Sequence, residues 1–434
     1  MKISVVGCGY LGAVHAACMA ELGHEVVGVD VDAAKIALLA AGTPPFFEPG
    51  LPELLSSALA SGRLSFTTDI ARVSGAAVHF VAVGTPQLGE SNAADLRYVD
   101  AAVAGLLPHL RDGNLVVGKS TVPVGTAARL ADIVRTGSGA TLAWNPEFLR
   151  EGFAVKDTLA PDRLVYGLAA GDSGGEELLD SVYASALAQG TPKVVTDYAT
   201  AELVKVAANA FLATKISFIN AMAEVAEATG ADVTQLADAI GYDARIGRRF
   251  LNAGLGFGGG CLPKDIRGFM ARAEELGVDQ ALSFLREVDS INLRRRGRMV
   301  DLVTEAVGGD VRGKRIAVLG LAFKPDSDDV RDSPALDVAV RLSALGADVV
   351  ATDPEAIETS RWRFPDLNYV ASVDDAVRDA DGVALLTEWK AYRVLDPTVL
   401  GSAVATRAIV DGRNCLDPVQ WRAAGWLYRA LGRP

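Results

Sequence analysis

The chain has 434 residues, half of them hydrophobic, and a formal net charge of -12. At roughly 100–200 residues per domain, that length suits two to four domains with substantial cores. The acidic balance excludes a broad nucleic-acid or anionic-membrane surface, because phosphate backbones demand concentrated Lys and Arg, so any phosphate-bearing partner must be held locally.

The opening "MKISVVGCGY" enters a β-rich run at once and shows no secretory pattern. No stretch reaches the roughly 18 uninterrupted apolar residues of a membrane span. The four cysteines, Cys8, Cys18, Cys261 and Cys415, are too scattered for a disulfide framework, and a cytoplasmic location is expected. The runs "KISVVG", "HEVVGVD", "AAVHFVAVG" and "NLVVGKST" read as strands separated by Ala/Leu-rich helical stretches, which predicts a parallel sheet covered on both faces. After the first strand, "GCGYLG" places Gly7, Gly9 and Gly12 in G-x-G-x-x-G spacing at the start of a helix. Gly7 suits a tight turn, Gly9 a close backbone approach to a pyrophosphate, and Gly12 close helix packing. Asp30, ending the next strand, suits an adenosine ribose and would repel a ribose phosphate, so NAD is expected as cofactor rather than NADP.

Further strand ends carry Thr85 and Pro86 in "VAVGTP" and Ser120 and Thr121 in "GKSTVPVGT". They lie where open α/β sheets bind ligands, though singly each reads as a turn residue with a satisfied hydroxyl. "WNPEFLREG" carries Glu147 and Glu151, which share a face if the stretch is helical. One of them could activate water; a solvated helical turn is the plainer alternative. From Tyr198 to about Val307 the pattern is helical, and Lys205 and Asn209 stand four apart on an otherwise apolar stretch. Such a pair wants a polar partner, or an oxyanion to stabilise, with a snorkelling surface lysine as the plainer alternative.

"GFGGGCLPKD" follows. Gly258, Gly259 and Gly260 strip side chains from the approach to Cys261, which suggests room for a ligand. If "LPKDIRGFM" is a helix with Pro263 in its first turn, Cys261 sits near the positive end with Lys264 in reach, and both favour thiolate. Cys8, Cys18 and Cys415 read as packing residues. With a pyridine nucleotide, such a nucleophile points to aldehyde oxidation through a thiohemiacetal and a thioester. The four histidines form no ligand set with a second partner at metal-site spacing, so no metal is expected.

Strands return from Gly313 in "KRIAVLG", "ADVVATD", "GVALLTE" and "RAIVDGRN". Asp353 follows Gly346 as Asp30 follows Gly23, and "VLG" at Gly320 copies "VVG" at Gly7, yet "GLAFKPDSDD" lacks the glycine fingerprint. The expected architecture is α/β: two Rossmann-like, doubly wound parallel-sheet domains, 1–197 and 308–434, joined by an all-helical segment, 198–307.

Taken in order, "GCGYLG", "STVPVGT", "NPEFLREG", "VKVAANAF", "FLNAGLGFGGGCLPKD" and "GLAFKPDSDDVRDSP" resemble the UDP-glucose and GDP-mannose dehydrogenase family along essentially the whole chain. The resemblance implies oxidation of the C6 alcohol of a nucleotide sugar to a carboxylate with two NAD. Cys261 would be the nucleophile, Lys205 and Asn209 the oxyanion pair, Asp265 the carboxylate that orders lysine and water, and Glu151 the base for thioester hydrolysis. Thr121 would stand beside the catalytic water, and Glu147 would be a neighbouring NAD-side or acid/base group.

For NAD the resemblance implies Gly7, Gly9, Tyr10, Leu11, Gly12, Asp30, Lys35, Thr85, Thr121, Glu151, Lys264 and Arg331. For the sugar nucleotide it implies Phe148, Leu149, Arg150, Glu151, Lys205, Asn209, Phe250, Leu251, Asn252, Gly254, Phe257, Gly258 and Lys324. Arg245 would be lent to a partner subunit's sugar site, in a homodimer formed through the central helices. Gly260, where many members carry serine, and Gly84, where others carry a larger residue, depart from the pattern. UDP-glucose is the expected substrate, with UDP-N-acetylmannosamine, UDP-N-acetylglucosamine or GDP-mannose as alternatives. A silent nucleotide-sugar sensor would not need Cys261, Lys205 and Asp265, and a simple hydroxyacid dehydrogenase would need neither the cysteine block nor a second nucleotide domain.

Overall fold

The computed structural model describes residues 1–89 and 91–434. The first sheet is built from short, β-branched strands: Lys2–Val6 (β1), Glu25–Val29 (β2), Leu64–Thr67 (β3), Val78–Val81 (β4), Leu115–Gly118 (β5), Thr141–Trp144 (β6), Leu164–Gly167 (β7) and Lys193–Thr196 (β8). They lie in the order β3-β2-β1-β4-β5-β6-β7-β8. The pairs are parallel except β6 with β7, which meet antiparallel at Trp144 and Gly167. This antiparallel pair and the outer strands β7 and β8 were not legible in the sequence.

Because side chains alternate along a strand, Ile3 and Val5 join Phe80 in the core on one face, while Val6 joins Val81 and Val116 on the other. Burial on both faces explains why these strands read as continuous apolar runs. The helix Tyr10–Glu21 is buried at every residue from Gly12 to Ala20, so it is apolar all round rather than amphipathic.

The second sheet comprises Arg315–Leu319 (β9), Asp348–Thr352 (β10), Asn368–Tyr369 (β11), Gly382–Leu385 (β12), Ala408–Asp411 (β13) and Leu427–Ala430 (β14). Its order, β11-β10-β9-β12-β13-β14, repeats the order of the first six strands, with all pairs parallel. In each sheet the chain reverses its direction of strand addition beside the first strand, and open α/β sheets bind ligands at the carboxyl ends there.

Between the sheets in sequence run the helices Tyr198–Thr229, Val233–Gly241, Leu262–Glu275 and Ser283–Ala306. By compactness the chain forms two units, Met1–Ala208 with Arg267–Gly277, and Asn209–Ile266 with Val278–Pro434. The helix Tyr198–Thr229 is long and apolar enough to cross a membrane, although it carries Glu202, Lys205, Asn209 and Glu227. In the second unit Glu227 receives Arg295 at 3.0 Å and Arg298 at 2.7 Å, and the Arg295 side chain is wholly buried.

Candidate active site

The first glycine turn has the geometry its residues predict. Gly7 lies at φ +91°, and its N–H donates to Val29 O at 2.8 Å. A Cβ at Gly12 would overlap the Gly7 carbonyl oxygen, whereas a Cβ at Gly9 would meet nothing within 4 Å. Gly9 caps the helix from an extended conformation with no side-chain bond, so the first helical N–H groups face an open surface. That surface fits a pyrophosphate.

Asp30 closes the turn. Its Oδ2 accepts from Cys8 N at 2.8 Å and from Lys35 Nζ at 3.0 Å, and its Oδ1 from Asp32 N at 3.0 Å. Burial alone would raise the Asp30 carboxyl, but these donors outweigh it and hold it below the usual value. The residues therefore fit an NAD adenosine.

A residue not singled out in the sequence joins the next segment to this turn. Glu48, buried, accepts from the Tyr10 hydroxyl, from Gly152 N at 2.6 Å and from Ala154 N at 2.7 Å. The Tyr10 phenol is pushed up by burial, by its bond to Glu48 and by the charges of Glu48 and Glu151. Glu151 thus stands near the first helix start, on the turn Glu151–Gly152. No local signal marks Glu48, whose backbone partners lie about a hundred residues away.

"NPEFLREG" is not a helix, so Glu147 and Glu151 do not share a helical face. Residues 145–150 have no regular structure, and Glu147 Oε1 accepts from its neighbours' amides, Phe148 N at 2.7 Å and Leu149 N at 2.9 Å. Such local bonds compete with helix formation. Glu147 Oε2 turns inward to Lys119 Nζ at 3.2 Å. Phe148 lies between cations, with Arg163 3.8 Å and Lys205 Nζ 5.5 Å from its ring centre. Arg150 forks onto Asp157, with bonds of 2.8 and 2.7 Å. Thr85 Oγ1 donates to Thr121 O at 2.8 Å and Ser120 Oγ to Val83 O at 2.7 Å, so backbone carbonyls take both hydroxyls.

In the second unit Cys261 is exposed immediately before the helix Leu262–Glu275, which has Pro263 in its first turn as expected. Asp265 N donates to Cys261 O at 2.9 Å. The buried Asp265 carboxylate accepts from Asn209 Nδ2 at 2.6 Å and from Lys264 Nζ at 2.7 Å. Lys205 stands one helical turn before Asn209. Burial pushes the thiols of Cys8, Cys18 and Cys415 well up, which suits inert packing residues.

The glycine run corrects one expectation. Its missing side chains admit the protein's own atoms: a Cβ at Gly258 would press on Asp332 O and Pro334, one at Gly259 would stand 2.8 Å from the Phe323 ring, and one at Gly260 would overlap the Arg331 guanidinium. The run is therefore glycine-rich because the "GLAFKPDSDDVRDSP" segment packs against it. Upstream, Gly254 N donates to Asn220 Oδ1 at 2.9 Å, Phe257 N to Asn292 Oδ1 at 2.7 Å, and Arg413 reaches Gly256 O and Phe323 O at 3.1 Å each. None of these three anchors was singled out in the sequence.

Leu251 and Phe257 are buried, Phe250 adopts φ +66°, and Asn252 accepts from Arg248 at 2.8 Å. Arg331 forks onto Asp329 at 2.9 and 2.7 Å, and Lys324 Nζ lies 5.4 Å from the Phe323 ring centre. Arg245 points outward, its side chain 89% exposed and forked onto Asp243.

A dinucleotide turn, a repeated α/β sheet and an exposed helix-start thiol with a buried carboxylate behind it define an NAD-dependent oxidoreductase. The chain matches the NAD binding domain of the UDP-glucose/GDP-mannose dehydrogenase family over residues 1–187, its central domain over 199–294 and its UDP binding domain over 317–418. It is 43% identical to UDP-glucose 6-dehydrogenase of Rhizobium meliloti (strain 1021), with all of both chains covered. It is 41% identical to UDP-glucose 6-dehydrogenase TuaD of Bacillus subtilis (strain 168), covering all of this chain and 93% of that one. Among solved structures, a UDP-glucose dehydrogenase from Pyrobaculum islandicum superposes with a TM-score of 0.90 at 41% identity, covering all of this chain and 98% of that one. The chain belongs to the UDP-glucose/GDP-mannose dehydrogenase family.

Proposed function

We propose that the chain oxidises UDP-glucose to UDP-glucuronate, with Cys261 as the covalent nucleophile. The observation that carries this is the exposed Cys261 at a helix start whose first turn holds a buried carboxylate, Asp265, bonded to Asn209 and Lys264. The likeness to relatives named UDP-glucose 6-dehydrogenase supports the choice of sugar. In this scheme residues 1–197 hold NAD, 198–307 supply the thiol and its neighbours, and 308–434 hold the UDP part. NAD bound at the Gly7–Gly12 turn would supply the hydride acceptor.

Cys261 adds to the C6 aldehyde to form a thiohemiacetal, and Lys205 and Asn209 stabilise the oxyanion, a role typically worth about a hundred- to a thousandfold per donor. The aldehyde itself comes from the C6 alcohol by loss of a first hydride, and loss of a second from the thiohemiacetal carbon leaves a thioester, an NAD being the acceptor that each would require. Water, deprotonated by Glu151 beside Thr121, releases the carboxylate and restores the thiol. The enzyme is cytoplasmic and dimeric in this scheme. Phe211, Phe218 and Val225, exposed at seven-residue spacing along the helix Tyr198–Thr229, are the apolar stripe expected at a helix-mediated dimer contact.

The test is the number of NADH formed per UDP-glucose consumed, with UDP-N-acetylmannosamine, UDP-N-acetylglucosamine and GDP-mannose in parallel and the same preparation sized by sedimentation. Two NADH from wild type, none beyond trace turnover from Cys261→Ser, and a dimer are expected. One NADH with aldehyde accumulating would end the covalent scheme, preference for another sugar would correct the substrate, and a monomer would remove the dimer.

A further inference from the structure

One ion pair of the first unit stands outside this scheme. Lys119 follows β5 and is almost wholly buried, with its Nζ 3.2 Å from Glu147 Oε2, 3.0 Å from Asn145 Oδ1 and 3.3 Å from the Tyr183 hydroxyl. The cradle is itself tied down. Asn145 Nδ2 donates to Val165 O at 2.9 Å, and the Tyr183 hydroxyl donates to Asn145 Oδ1 at 2.7 Å. Burial alone would pull the lysine down, but the charge of Glu147 and its bonding to Tyr183 outweigh it and leave the ammonium raised.

A buried pair of this kind is a poor source of net stability, because desolvation offsets the attraction; its best-attested use is to fix geometry. Here the geometry is a loop. Residues 145–150 have no regular structure, so their amides depend on specific acceptors, and Glu147 Oε1 takes those of Phe148 and Leu149 at 2.7 and 2.9 Å. One carboxylate thus joins a rigid strand end to two successive backbone N–H groups.

Beside the pair lies a cavity of about 30 Å³, also lined by His15, Asp157, Thr158, Asp162 and Arg163. Burial and the nearby Lys119 and His24 hold His15 well below its ordinary value, so it is neutral, and Arg163 lies over the Phe148 ring. Lys119 is the cation that meets Glu147.

We propose that Lys119 is a positioning residue for the segment Phe148–Arg150, acting through the Glu147 carboxylate. The consequence for catalysis rests on the proposed function, in which Phe148, Leu149 and Arg150 face the sugar nucleotide.

The experiment compares wild type with Lys119→Met, Glu147→Gln and the double variant. Amide hydrogen exchange at Phe148 and Leu149 is measured in ligand-free protein, and KM for UDP-glucose and for NAD during turnover. Lys119→Met should speed exchange at these two amides and raise the UDP-glucose KM by about tenfold or more, with the NAD KM within about twofold, since misplacing a contact residue by about 1 Å can cost a hundredfold. The double variant should recover amide protection, because the carboxamide oxygen brought in by Glu147→Gln can still accept both amides and no buried charge is left unpaired.

Unchanged exchange in Lys119→Met, or a double variant whose two amides exchange as fast as in the worse single, would overturn the proposal. If Lys119→Met does not fold, Glu147→Gln, which turns an amide toward the lysine, makes the same test, and Lys119→Arg should retain protection. If wild type turned over no UDP-glucose, the functional scheme would fall while the exchange data still decided the positioning role.

Discussion

Over their shared six-strand order the two sheets are near copies, and the difference at their first turns lies in one loop. Gly7 and Gly320 follow the first strand of each sheet at φ +91° and +105°, and each donates its N–H to the end of the second strand, Val29 O at 2.8 Å and Thr352 O at 2.9 Å. In both, the acid after that strand takes the next amide, Asp30 from Cys8 N at 2.8 Å and Asp353 from Leu321 N at 2.7 Å. In the first sheet the helix begins at Tyr10, directly behind the turn; in the second, "LAFKPDSDDVRDS" intervenes before the helix Pro334–Ala344. The displaced helix leaves Asp353 to its own chain. Leu321, Ala322, Glu355, Ala356 and the Trp389 indole all donate to its buried carboxylate. A shared six-strand order therefore does not imply the same surface: loop length decides whether the turn opens directly on a helix start or on an intervening protein segment.

The sharpest way to break the comparison is Gly12→Ala. With the Gly7 carbonyl oxygen in the way of any Cβ, the turn must deform, and NADH affinity should fall by about a hundredfold, or about 2.7 kcal/mol, in a fluorescence titration. Wild-type affinity in that variant would show that the first turn does not hold the dinucleotide.

A reciprocal pair of variants comes next. Asp353→Asn should cost about 2–4 kcal/mol in urea unfolding, since it disturbs several buried bonds to a charged group, while NADH binding stays unchanged. Asp30→Asn should do the reverse, with a small stability change but roughly tenfold weaker NADH binding and a relative gain for NADPH. The same phenotype from both variants would mean that the two acids are not differentiated.

The smallest effect is acid sensitivity. All four histidines lie within the first 109 residues, and the second sheet has none. Burial lowers His15 and His24 and takes His79 from 6.5 to about 4. These groups bind protons more readily when unfolded. The contribution of His79 is complete above pH 6.5 and is lost as pH falls toward about 4, costing about 2 kcal/mol at pH 5, and His15 and His24 act in the same direction. Hydrogen exchange corrected for intrinsic rates should show protection lost first in residues 1–197. Equal loss in both sheets would remove the distinction.

Much of this was legible in the sequence, for a local reason. "GCGYLG" encodes a turn and a helix start within a few residues, so Gly7, Gly12 and Asp30 fall where their pattern predicts. Cys261 before a helix with Pro263 in its first turn is equally local. Glu147 was misplaced because i, i+4 spacing speaks only of helices, and the segment bonds to its own amides instead. The glycine run was misjudged because Phe323, Arg331 and Asp332, which fill its Cβ space, come more than sixty residues later.

The sequence by itself determined the alternation of strands and helices, the repeated sheet, the dinucleotide turn and the thiol at a helix start. Each depends on torsion preferences, side-chain periodicity and bonds spanning a few residues. Only the tertiary structure decided what occupies the space beside the glycines, which carboxylates are exposed and which saturated, and that Lys119 stands behind Glu147. Burial and charge pairing depend on which distant segments are brought together, and in this chain those partners lie from tens to more than a hundred residues apart.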